Sequence, residues 1–394
     1  MNRIYYLPFI LGFTLLVTAC KLKNNVAKEP NNKENTILLS SRYNALLEYP
    51  VDSLSFPRSM SLTTGKIRKV PSKDWCSGFF AGNLWQIYEL TGDVKFKEKA
   101  KQWTAFIEKE KFNNKTHDMG FKVFCSFGNG LKHENNQHYK DVIVKSAQTL
   151  STRFNKKVGA IRSWDFNKEV WDFPVIIDNM LNLELLFEAS KISGDAKYRD
   201  IAIQHANTTL KNHFRPDASC YHVVSYDTIT GKPKMKVTHQ GYNDESSWAR
   251  GQGWAIYGYT MCYRYTKDKA YLKQAEATAN YFINNKNMPD DGIVYWDFKD
   301  PTIPNAPRDS SAAALVASGL YELYDYTKND IYLNYANKVM TSLSTKNYIL
   351  DKTVKGPFIL DHSTGHKPKN DEVDEPIVYG DYYYLEALLR QKKK

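Results

Sequence analysis

Thr91-Gly-Asp-Val-Lys-Phe-Lys-Glu-Lys-Ala100 recurs along the chain in altered form. Ser193-Gly-Asp-Ala-Lys-Tyr-Arg-Asp-Ile-Ala202, Thr266-Lys-Asp-Lys-Ala-Tyr-Leu-Lys-Gln-Ala275 and Thr327-Lys-Asn-Asp-Ile-Tyr-Leu-Asn-Tyr-Ala336 keep its order. His138-Tyr139-Lys140-Asp141 begins a weaker copy. In each, Gly or a polar residue ends one helix, Asp or Asn caps the next, and an aromatic starts the apolar stripe. The anchors Phe96, Tyr139, Tyr198, Tyr271 and Tyr332 are 43, 59, 73 and 61 residues apart. That irregular period fits helical hairpins with variable loops better than a strict solenoid.

Counting outward predicts twelve helices, near 38–50, 77–91, 94–112, 119–131, 137–154, 173–192, 196–213, 246–266, 269–286, 309–327, 330–346 and 380–392. Links after even-numbered helices are short. Those after odd-numbered helices are mostly long, at 51–76, 155–172, 214–245, 287–308 and 347–379. In an antiparallel helical toroid every long link falls on one face, and such loops carry function on a rigid scaffold. The expected fold is all-α, an (α/α)6 six-hairpin barrel with the even helices inside. Residues 38–394 close as one domain, although length alone suggests two or three.

Residues 1–19 read as a signal peptide, with Arg3 before an apolar run and Val17-Thr18-Ala19-Cys20 resembling a bacterial lipobox. Cleavage before Cys20 leaves that cysteine lipidated, so the expected location is exported and lipid-anchored, with the lipid as the only membrane contact. Residues 20–37 read as a flexible polar tether. Cys76, Cys125, Cys220 and Cys262 have no zinc-like spacing and read as buried free thiols. The net charge of +11 suits an acidic partner or a basic solvated surface. The basic residues are scattered without a nucleic-acid motif, which speaks against nucleic acid.

The starts of the inner helices are chemically unusual. Asp74-Trp-Cys-Ser-Gly-Phe79 sets Trp75 and Phe79 where they either stack on a sugar or pack ordinarily. Asp118, in His117-Asp118-Met119-Gly120-Phe121, is a cap or one of a carboxylate pair. Asp178 lies in an apolar pattern, where an ionised carboxylate is costly and its pKa is driven up. It is either a helix cap or a general acid. Thr238 to Trp254 is too polar, aromatic and glycine-spaced for a plain core helix, which singles out His239, Gln240, Trp248, Arg250 and Trp254. Arg250 suits a carboxylate. His222 is a substrate contact or a satisfied structural histidine. Asp309 or Ser310 reads as a cap. The loop Asp361–Lys369 either touches the far end of a substrate or is a solvated charged loop. There is no P-loop, GxGxxG, HExxH or GxSxG motif, so no cofactor and no metal are expected.

WCSGFFAGNLW at 75–85, HDMGF at 117–121, IIDNMLNLELL at 176–186, THQGYNDESSWARGQGW at 238–254 and DSSAAA at 309–314 together resemble the unsaturated glucuronyl hydrolases of glycoside hydrolase family 88. The resemblance spans nearly all of residues 38–392. It implies removal of the 4,5-unsaturated uronic acid from the non-reducing end of lyase-generated glycosaminoglycan oligosaccharides. It implies Asp178 as general acid/base and Asp118 as its partner carboxylate. His117, His222, His239, Gln240, Trp248, Arg250 and Trp254 become substrate contacts, with Trp75 and Phe79 as an aromatic wall. By the same resemblance Asp178 protonates C4 of a vinyl ether, water adds at C5, and the hemiketal opens to release the next sugar without a metal. Relatives preferring sulfated disaccharides carry a Ser-rich, Lys-ended loop motif. Ser363-Thr-Gly-His-Lys367 matches it in part, which makes Ser363 and Lys367 candidate contacts. The alternatives are an unsaturated rhamnogalacturonyl hydrolase and a non-catalytic glycan-binding lipoprotein.

Overall fold

The computed structural model describes residue 1 and residues 32–394. The expected signal peptide, Cys20 and the tether up to residue 31 lie outside the described residues. The remainder of the expected tether is helical, because α1 runs Asn32–Glu48. Tyr43 and Leu46 are buried along it, and the Arg42 guanidinium ties it to the carbonyls of Asp351, Val354, Gly356 and Phe358.

The inner ring is α2 Ser77–Thr91, a π-helical run Gly120–Gly128 continued by α4 Asn129–His133, α6 Asn179–Ser193, α8 Ala249–Thr266, α10 Ser310–Thr327 and α12 Val378–Gln391. Outside lie α1, α3 Val94–Ile107, α5 Gln137–Ser151, α7 Ala196–Asn212, α9 Lys269–Ile283 and α11 Asp330–Leu343. Each inner helix packs on the next, and α12 closes on α2. The (α/α)6 barrel is therefore the observed fold, as one domain.

The repeated phrase forms the short corners. Gly92, Gly194, Lys267 and Lys328 are left-handed, at φ 74°, 73°, 59° and 53°. Asp93, Asp195, Asp268 and Asn329 then accept the backbone N–H two residues on. Thr91, Ser193, Thr266 and Thr327 each donate to the carbonyl four residues back and accept the capping residue's N–H. These local bonds satisfy groups that helix ends leave open. All five aromatic anchors are buried. Cys76, Cys125, Cys220 and Cys262 are buried free thiols.

The long links hold small antiparallel sheets that the all-α expectation did not include. β1 Phe56–Met60 pairs with β2 Ile67–Val70, and β3 Phe154–Asn155 with β4 Ala160–Ile161. β5 Phe173–Ile176, β6 Val223–Tyr226 and β7 Pro233–Val237 form a three-stranded sheet, and β8 Ser363–His366 pairs with β9 Asp371–Glu375. The sixth helix accordingly starts at Asn179 rather than near 173. Phe-Pro-Val-Ile pairs with Val223–Tyr226 instead, Val175 facing Val224. Pro174 disfavours the helical region for Phe173 and lacks an N–H to donate.

At the opposite end, a cavity of about 570 Å³ is lined by ion pairs. Arg264 holds both Glu322 oxygens, and Arg390 lies 3.0 Å from Glu322 Oε2. Burial opposes ionisation of Glu322, but the two arginines hold its carboxyl at about 2.

Candidate active site

The long-link face opens into a cavity of about 690 Å³. It is lined by Trp75, His117, Asp118, Asp178, His239, Gln240 and Arg250, all singled out from sequence. Two close approaches shape it. A Cβ on Gly120 would sit 2.7 Å from Asn182 Cα, so only glycine lets the His117–Phe121 turn reach α6. Asn182 Oδ1 accepts the Phe121 N–H there at 3.0 Å. A Cβ on Gly78 would meet the Lys122 carbonyl at 2.2 Å, and its absence seats the start of α2 on the π-helical run.

Asp178 follows β5 and precedes α6 with helical φ and ψ, and its side chain caps nothing. The cap reading is thereby excluded. Oδ2 is buried without a hydrogen-bond partner. Burial pushes the carboxyl from 3.8 to about 7, opposed by His117 and Arg250 and reinforced by Asp118. His222 Nε2 lies 3.7 Å from Oδ2. His222 Nδ1 accepts the backbone N–H of both His239 and Gln240 at 3.1 Å. Burial holds this ring's pKa well below normal, so it is neutral with its proton on Nε2, toward Asp178.

Asp118 has the opposite character. Burial favours its neutral form, but His117, Thr116 and Lys122 together hold it below the usual carboxylate range. His117 Nε2 lies 3.1 Å from Oδ1, and Thr116 Oγ1 donates to Oδ2 at 2.7 Å. Two carboxylates in one cavity thus sit on opposite sides of their ordinary value, the arrangement that separates an acid from an ionised partner. The larger cause for Asp178 is burial; repulsion by Asp118 is a smaller one.

Arg250 is buried beside Trp248 and Tyr379, with ring centroids 4.6 and 5.2 Å from the guanidinium carbon. Nη1 donates to Asp309 Oδ2 and the Thr364 carbonyl, and Nη2 to the Gly365 carbonyl. The end of the fork is therefore taken by protein. Asp309 is also the expected cap, accepting from Ser311 and Ala312 N–H.

Six expected contacts lie off the cavity wall, and His222, buried against Asp178, is the first of them. Phe79 and Trp254 are wholly buried in the aromatic layer beneath it, where both pack on Phe121. Trp248 backs His222, centroids 4.5 Å apart, as well as Arg250. Ser363 is wholly buried and bonds Ser310 Oγ at 2.8 Å, joining β8 to α10. Lys367 lies in a 3-10 turn, Lys367–Lys369, and it is Lys369 that lines the cavity. Arg58, Trp164, Phe166, His366 and Tyr379 line it as well. Trp164 and Phe166 stack, 4.9 Å apart and 14° from parallel. Their aromatic spacing in a long link was a usable signal; Arg58, gripped by Asp74 and Glu372, had none.

Residues 58–265 match the family profile described as Glycosyl Hydrolase Family 88. An unsaturated glucuronyl hydrolase of Formosa agariphila is 60% identical over 395 residues, covering 100% of this chain and 99% of its own length. The crystal structure of an unsaturated glucuronyl hydrolase specific for heparin aligns with TM-score 0.88 and 43% identity, covering 92% of this chain and 96% of that one. A point variant of Streptococcus agalactiae unsaturated glucuronyl hydrolase complexed with dGlcA-GalNAc6S aligns with TM-score 0.78 and 30% identity, covering 92% of this chain and 91% of that one. This chain belongs to glycosyl hydrolase family 88, among the unsaturated glucuronyl hydrolases.

Proposed function

We propose that the chain removes the 4,5-unsaturated uronic acid from the non-reducing end of lyase-generated glycosaminoglycan oligosaccharides by hydrating its C4=C5 vinyl ether. The observation carrying this is the divergence of Asp178, at about 7, and Asp118, held low, in one cavity. Near neutrality Asp178 keeps its proton and delivers it to C4. Positive character then develops at C5 and the ring oxygen. The Asp178 carboxylate takes a proton from water as its oxygen bonds to C5, so the acid is regenerated. The hemiketal opens to a C5 ketone and the next sugar leaves. His222 Nε2–H steadies the transient carboxylate, and ionised Asp118 accepts from ring hydroxyls.

The kinship with a heparin-specific structure makes a heparin-derived disaccharide the first substrate to try. The test is loss of the double bond's ultraviolet absorbance across hyaluronan, chondroitin and heparin disaccharides, with a pectin-derived disaccharide beside them. Turnover of at least one glycosaminoglycan substrate is expected. Turnover of the pectin product alone would favour the rhamnogalacturonyl reading, and binding without turnover a lectin.

Val17-Thr18-Ala19-Cys20 supports export and lipid anchoring at Cys20, with the lipid as the only membrane contact. Among the described residues no helix is long and apolar enough to cross a membrane. Cys20→Ala should abolish incorporation of labelled fatty acid and release the protein to the soluble fraction. Continued labelling would refute the anchor.

A further inference from the structure

Asp309 stands outside the proton transfer just described, yet it organises the cavity. Its carboxylate is wholly buried at the junction of three elements. Oδ1 accepts from Ser311 N–H at 3.1 Å and Ala312 N–H at 3.2 Å, which caps α10. The same oxygen accepts from Ser311 Oγ at 2.5 Å and Thr364 N–H at 3.3 Å, which fixes β8. Oδ2 accepts from Arg250 Nη1 at 2.7 Å. A helix cap needs one of these oxygens and not the other.

The bonds to Arg250 leave a specific remainder. A guanidinium has five N–H groups in a fixed plane. Nη1 spends both of its protons, on Asp309 Oδ2 at 2.7 Å and the Thr364 carbonyl at 2.6 Å. Nη2 spends one, on the Gly365 carbonyl at 2.7 Å. Among the described residues no partner reaches Nε. If the Gly365 carbonyl takes the Nη2 proton on the Nη1 side, next to the adjoining Thr364 carbonyl that Nη1 bonds, the two unspent donors, Nε–H and the second proton of Nη2, fall side by side on one edge of the fork. Two parallel donors on one edge are the geometry that grips a carboxylate. Arg250 lines the cavity, and its guanidinium carbon lies 4.6 Å from the Trp248 ring centroid and 5.2 Å from that of Tyr379. Ring contacts of this kind carry no hydrogen-bond direction, so the orientation of the fork is set by Asp309 and the two carbonyls.

We propose that Asp309 is a positioning residue that fixes Arg250 so its Nε/Nη2 edge receives the carboxylate of the unsaturated uronate. The proposal rests on the function above. It makes the uronate carboxylate, rather than a hydroxyl, the group Arg250 recognises. Gln240 belongs to the same assembly, because its Nε2 donates to the same Gly365 carbonyl at 3.1 Å. The Asp309 charge thus holds the backbone on which two cavity side chains are set.

Equilibrium binding tests this without requiring turnover. Calorimetry in an Asp178→Asn host measures Kd for an unsaturated uronyl disaccharide and for its methyl ester. Asp309→Asn retains an oxygen for the α10 cap but loses the charged acceptor for Arg250. It should weaken Kd for the free acid about tenfold, the scale of one charge-assisted hydrogen bond. It should leave Kd for the methyl ester within about twofold. In an Arg250→Met background, the same substitution should add nothing. Arg250→Lys, which keeps the charge but has no edge, should show the same selective loss and stands in if Asp309→Asn melts early. Equal loss for acid and ester, or a further loss in the Arg250→Met background, would overturn the assignment. Binding that behaves as stated while the unsubstituted protein fails to turn over any substrate would instead defeat the catalytic reading.

Discussion

Asp178→Asn removes a carboxyl that the fold disfavours when ionised, so the variant should be more stable than the parent, increasingly so as pH rises. Burial moves the group from 3.8 to about 7. Each unit corresponds to about 1.4 kcal/mol, so ionising Asp178 in the folded protein costs about 4 kcal/mol. Because the folded-state value is raised, the stability linked to this proton is complete below pH 4. It is lost progressively as pH climbs to 7, since there the folded chain holds a proton that the unfolded chain has released. Asparagine has no such dependence, and groups common to both proteins cancel in the difference. Between pH 5 and pH 8 the variant should gain about 3 kcal/mol on the parent. With an unfolding entropy of about 2.1 cal/mol/K per residue over roughly 360 residues, that is about 4 °C in relative melting temperature. Paired calorimetric scans at pH 5, 6, 7 and 8 read it directly. A melting difference constant to within about 1 °C across that range would refute the buried, proton-holding Asp178.

The same proton sets the pH profile of turnover. kcat/KM should fall about tenfold per unit above about pH 7, as Asp178 ionises, and a level profile to pH 9 would exclude it as the acid. Trp254→Phe should lower the melting temperature, with a cost of about 1–3 kcal/mol for lost packing, while KM stays within about twofold; a tenfold rise in KM would place Trp254 in the site after all. Trp75→Ala should do the reverse, raising KM about tenfold through loss of a stacking face, and an unaltered KM would remove Trp75 from the substrate wall. Lys369→Ala should raise KM for sulfated disaccharides and Lys367→Ala should not, a contrast visible in steady-state kinetics; the opposite ranking would contradict the observed turn.

The barrel was legible because its corners are local. Asp93, Asp195, Asp268 and Asn329 each cap their helix through a bond two residues long, and such bonds can be read from neighbours in sequence. The alternation of short and long links then put Asp118, Asp178 and Arg250 at one mouth without any knowledge of contacts. The strands escaped notice because their partners are distant. Val175 faces Val224, and a Phe-Pro-Val-Ile run before a helix reads as helix until that partner is known. The aromatic wall was half legible. Trp75 on the surface of the cavity and Trp254 beneath it are both tryptophans at the start of inner helices, and only depth separates them. Arg250 shows the same limit. Its residue type pointed to a carboxylate, but its guanidinium bonds carbonyls 114 and 115 residues away. Lys367 and Lys369 differ by two positions in a tight turn, and the direction of that turn decides which one meets the cavity.

The most direct test of the account is single-turnover loss of ultraviolet absorbance by the C4=C5 bond, with enzyme in excess over a glycosaminoglycan-derived unsaturated disaccharide at pH 6. The parent should consume the double bond. Asp178→Asn should bind with a similar Kd yet consume it about 10²–10⁴ times more slowly, the usual worth of a positioned proton donor. A near-parental rate in Asp178→Asn would contradict the central claim that Asp178 delivers the proton to C4.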